Sequence, residues 1–90
     1  MISRARLSAN LKRIRLSQQL SQEALAVDAR LARSYLSGLE RGEENTTIDI
    51  LDKLAESLGV DVLELLAIPD PNAPEPTPLK KGPKPTKRNR

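Results

Sequence analysis

Residues 33–37 read Arg-Ser-Tyr-Leu-Ser, placing a guanidinium, two hydroxyls and a phenol around one leucine. These groups suit recognition rather than bond-making. The planar fork of Arg33 can bridge O6 and N7 of a guanine, and Ser34 can donate to a base or a phosphate. On a helix, Ser37 comes one turn after Arg33 and Ser34 and reaches the same surface. Tyr35 is the one aromatic side chain of the chain, and an outward-facing phenol offers both a stacking face and a polar tip. Ser21 and Gln22 stand where a second helix should begin, and free N–H groups there can hold a phosphate. Catalytic groups are scarce. With no His and no Cys, the common general base, the thiol nucleophile and the usual zinc ligands are all missing. The adjacent carboxylates of Glu43 and Glu44 read as a solvated acidic turn. No enzymatic activity, cofactor, metal or small-molecule ligand is expected.

The recognition groups need helices to carry them. Leu7, Leu11 and Ile14 are spaced i, i+4, i+7 and predict a first helix over residues 4–17. Ser21 is a good N-cap for a second helix over 22–29. A third should span 33–41, stopped by Gly42 in the left-handed conformation. Thr47 caps a fourth over 48–58, with Ile48, Leu51, Leu54, Ala55 and Leu58 facing inward and Gly59 ending it. Asp61 and Glu64 form a capping-box-like start for a short fifth helix ending near residue 67. Across the segment 20–42 that carries the second and third helices, Leu20, Leu25, Ala26, Leu31, Leu36 and Leu39 supply the apolar positions. Two short helices joined this tightly must cross steeply, the geometry of helix-turn-helix readers of the major groove. The fold class expected is all-α, a compact five-helix domain over residues 1–68.

The run LSQEALAVDARLARSYLSGLERG over residues 20–42 resembles the helix-turn-helix of the phage-repressor family, the Cro/Xre-type transcriptional regulators. The likeness continues through residue 66, and RSYLSGLERG is especially similar to the controller proteins of restriction–modification systems. It implies a lambda-repressor-like domain whose third helix reads double-stranded DNA, working as a homodimer on an inverted repeat. Arg33, Ser34, Tyr35 and Ser37 would then meet bases, and Ser21, Gln22, Asn45 and Thr46 phosphates. Arg15 and Glu40 match an ion pair between the first and third helices of that family. Four positions depart from the pattern. Gln19 and Arg30 stand where glycine is usual, Ala32 replaces a capping side chain, and Gly38 replaces a long polar one. Glu43 and Glu44 enter a loop that approaches the DNA backbone in family members.

Charge is segregated along the chain. Residues 1–41 carry eight basic and three acidic side chains, a net of +5, and residues 42–68 carry one and seven, a net of −6. A polyanion would dock on the first block and avoid the second. All seven prolines lie at or beyond Pro69, so residues 69–90 read as a disordered tail with polyproline-II character. Lys80, Lys81, Lys84, Lys87, Arg88 and Arg90 make its end basic; it either adds sequence-independent affinity by counterion release or serves as a solubilising spacer.

The domain must build its core from aliphatic side chains, and so small a core gains from a second subunit. Val60, Val62, Leu63, Leu65, Leu66 and Ile68 exceed what a short terminal helix buries in its own domain, which places the expected dimer interface at Val62, Leu65, Leu66 and Ile68. The first twenty residues lack the apolar run of a signal peptide, and no stretch is apolar enough for a membrane span, so a cytoplasmic protein is expected. Another reading is a protein–protein adaptor or antitoxin-type module using the same helical domain. The polar and basic face around Arg33, Ser34, Ser37 and Gln22 favours DNA.

Overall fold

The aliphatic stripes of five helices converge on a core that is almost entirely leucine. Leu7, Leu11, Ile14, Leu20, Leu25, Leu36, Leu39, Leu51, Leu54, Leu58 and Leu65 are buried, joined by Ala26, Ala29 and Ala55. A computed structural model of the protein describes residues 2–70; the expected tail of residues 69–90 lies outside them except for its first two residues. The elements are α1 (Ile2–Ser17), α2 (Gln22–Ala29), α3 (Arg33–Glu40), α4 (Ile48–Leu58) and α5 (Val62–Leu66), with no strand among the described residues. The domain is all-α, as the periodicity predicts, and no helix among the described residues is long and apolar enough to cross a membrane.

The caps act where the sequence puts them. Ser21 Oγ accepts from the N–H of Ala24 at 3.0 Å, Thr47 Oγ1 from Ile50 at 3.1 Å and Asp61 Oδ1 from Leu63 at 2.8 Å. Each satisfies an N–H that the first helical turn leaves without an internal partner. Gly59 closes α4 in the left-handed region at φ 70°, and Gly42 follows α3 at φ 75°. Gln19 and Arg30 also take positive φ, 59° and 60°, so the chain keeps the glycine-type turns without the glycines.

One inward position is corrected. Ile48, expected on the inner face of α4, is 75% exposed. It is the first residue of α4, and the core begins only at Leu51, so its turn has nothing to pack against. Ile50 instead packs partly against the core.

Candidate nucleic-acid interface

α3 has a strict inner side. Leu36, Leu39 and Glu40 are buried, while Arg33, Ser34 and Arg41 are exposed and Ser37 is half-buried. Arg33, Ser37 and Arg41 follow one another at helical i, i+4, i+8 positions, so they form a row along the outer surface. With Ser34 they line a shallow depression of about 270 Å³. Arg41 Nη1 donates to Ser37 Oγ at 2.5 Å, while the Ser37 hydroxyl keeps its own proton to donate outward. Arg41 was not among the expected contacts, although its spacing from Arg33 and Ser37 was legible.

The start of α3 is open. Ala32 occupies the N-cap position with extended backbone and offers no side-chain bond to the first turn. The free N–H groups and the positive end of the helix dipole therefore sit beside the Arg33 guanidinium, an arrangement that attracts anions.

What holds this surface in place is a buried ionic network. Arg15 of α1 donates through Nε to Glu40 Oε2 at 2.6 Å and through Nη2 to Oε1 at 3.0 Å, while its Nη1 reaches the carbonyl of Leu20 at 2.6 Å. Both side chains are nearly enclosed, at 8% and 4% exposure. The bidentate geometry and the additional carbonyl satisfy both charges in a dry setting. Gln22 joins from α2, its amide nitrogen donating to Glu40 Oε1 at 3.0 Å. α1, α2 and α3 thus meet at one carboxylate.

This network and the local hydrogen bonds around it change how the expected contacts are read. One N–H of the Gln22 amide is engaged with Glu40, which leaves the second N–H and the backbone to face a phosphate. Tyr35 is half-buried, and its hydroxyl donates to the carbonyl of Asn45, so its proton ties down the following loop instead of projecting to a base. The side-chain oxygen of Asn45 accepts from Nε of Arg4 at 3.2 Å and from its Nη2, leaving the Asn45 amide nitrogen exposed as a donor. Ser21 uses its oxygen in the cap and keeps its proton. Thr46 is half-buried, with a long bond to the carbonyl of Thr47 at 3.3 Å. Arg4, Tyr35 and Asn45 lie far apart in sequence, and nothing in the spacing announces their meeting.

At the other end of the domain the expected interface residues separate. Leu65 is 0% exposed and belongs to the core, because α5 turns that side onto α1 and α4; it cannot contact a second subunit. Val62 and Leu66 are half-buried, and Ile68 is 74% exposed. Leu63, which was not among the four, is 75% exposed.

Two short helices joined across residues 30–32, an outer row of donors on the second of them and a capped start to the first are now all in place. The Helix-turn-helix model HTH_3 matches residues 11–65. The chain belongs to that helix-turn-helix family. It is 42% identical over 57 residues to the control protein C.BamHI of Bacillus amyloliquefaciens, covering 62% of this chain and 70% of the relative. Among solved structures it resembles the hypothetical transcription factor NHTF from Neisseria, with a TM-score of 0.72 and 37% identity over 74% of this chain and 77% of that one. It also resembles the restriction–modification controller protein C.AhdI from Aeromonas hydrophila, with a TM-score of 0.69 and 35% identity over 72% of this chain and 98% of that one.

Proposed function

We propose that the protein is a sequence-specific DNA-binding transcriptional regulator, working as a homodimer on an inverted-repeat operator. The observation that carries this reading is the outer row of α3: Arg33, Ser34, Ser37 and Arg41 face solvent together while the opposite side of the helix is locked into the core. A helix presented this way enters the major groove with its first turn toward base edges. Arg33 bridges a guanine, Ser34 and Ser37 supply hydroxyl donors, and Arg41 meets the backbone. Ser21, the free N–H of Gln22 and the Asn45 amide flank the helix as phosphate donors. Likeness to the controller proteins supports the same reading and points to a small regulator set by its own concentration. A polar and basic face of this kind suits a polyanion better than the apolar partner an adaptor would need.

Selecting bound fragments from random duplex DNA tests the reading. A palindromic consensus is expected, and Arg33→Ala should lose about 1–3 kcal/mol of specific affinity with relaxed preference at one base pair per half-site. Retention without any enriched sequence would refute sequence-specific binding.

A further inference from the structure

Gly38 sits on α3 one turn after Ser34, and it is buried although it borders the exposed row. Its cover is Glu44. A Cβ placed on Gly38 would lie 2.4 Å from Glu44 Cγ and 3.3 Å from Oε2, so the acidic side chain occupies the space that any residue at 38 would need. The loop that carries Glu44 is tied back to α3 by the bond from the Tyr35 hydroxyl to the Asn45 carbonyl. The two neighbouring carboxylates differ in their partners. Glu43 is paired with Arg41 at 3.0 Å, whereas the exposed Glu44 carboxylate has no ion pair among the described residues.

We infer that Glu44, lent to the recognition helix across Gly38, is a specificity-determining residue that reads the amino group of a cytosine. The inference rests on the DNA-reading function proposed above. A carboxylate is an acceptor only. In the major groove the phosphates repel it, and the N4 amino group of cytosine is the base-edge donor it suits. The glycine at 38 has a use in this arrangement: it leaves the groove side of α3 vacant for a side chain supplied by the loop. The contact therefore falls beside the base pair met by the first turn.

The test is selection from random duplexes by the full chain and by Glu44→Gln, Glu44→Ala and Gly38→Ala, followed by affinity for single-base variants of the selected site. The full chain should favour cytosine at one position of each half-site by about tenfold, the scale of a single base contact. Glu44→Gln should move that preference toward adenine, whose N6 and N7 an amide can bridge, and Glu44→Ala should abolish it. Gly38→Ala, by displacing Glu44, should also abolish it, and combining it with Glu44→Ala should cause no further change. An unchanged consensus with affinity raised alike for every sequence would overturn the inference, leaving Glu44 as a repelling charge. Failure of the full chain to enrich any sequence would instead refute the proposed function, and the inference with it.

Discussion

The side-chain amide of Asn10 holds the end of the domain: its nitrogen donates to the carbonyl of Ala67 at 2.8 Å and to that of Leu65 at 3.1 Å. Asn10 lies on α1, is 1% exposed, and is the one buried asparagine of the core region. The final carbonyls of a helix have no partner within it, and α5 is too short to leave them unattended. Asn10→Leu should therefore destabilise the domain by about 1–3 kcal/mol, the penalty for a buried acceptor stripped of its donor. Chemical denaturation measures it, and hydrogen exchange should show the loss concentrated in α5.

The ion pair between Arg15 and Glu40 predicts a pronounced asymmetry. Removing one partner leaves the other charge buried, so Glu40→Ala should destabilise by about 3–5 kcal/mol. Replacing both with apolar residues, Arg15→Met with Glu40→Leu, should restore most of that loss despite the missing bonds. Equal midpoints for the single and double variants in thermal unfolding would contradict the account.

The turns without glycine offer stabilising changes. Arg30 and Gln19 sit at φ 60° and 59°, which costs a side-chain-bearing residue of order 1–2 kcal/mol relative to glycine. Arg30→Gly should raise stability by up to about 1 kcal/mol after the added freedom of the unfolded chain is set against that relief. Gly59→Ala is the converse: it has φ 70° and open space around it, so it should destabilise through backbone strain alone. Ala32→Ser should add a cap to α3 worth about 1 kcal/mol. Unfolding curves for the three single variants check the signs.

Self-association should depend on the outer side of α5 and its exit. Leu63→Glu and Ile68→Glu place charge on exposed positions and should shift sedimentation from dimer toward monomer while leaving the helical spectrum intact. Leu65→Glu should unfold the domain, because that position is in the core. A wild-type monomer at tens of micromolar would remove the homodimer from the proposed function.

Local chemistry made much of the domain readable in advance. Ser21, Thr47, Asp61, Gly42 and Gly59 act through bonds and dihedrals within a few residues of themselves, so the sequence alone located the starts of α2, α4 and α5 and the stop of α4, whereas α1, expected from residue 4, begins at Ile2. The leucine periodicity likewise separated the inner and outer sides of α3, because a helix has one pitch wherever it is placed. Other facts depended on packing between distant segments. Ile48 and Leu65 each fit an apolar stripe, and only the position of the neighbouring helices decided that the first is exposed and the second enclosed. The bond from Tyr35 to Asn45, the engagement of Gln22 by Glu40 and the seat of Glu44 over Gly38 join side chains to partners that periodicity cannot rank. A hydrogen bond is settled within a few tenths of an ångström, and that precision exists only once the helices have docked.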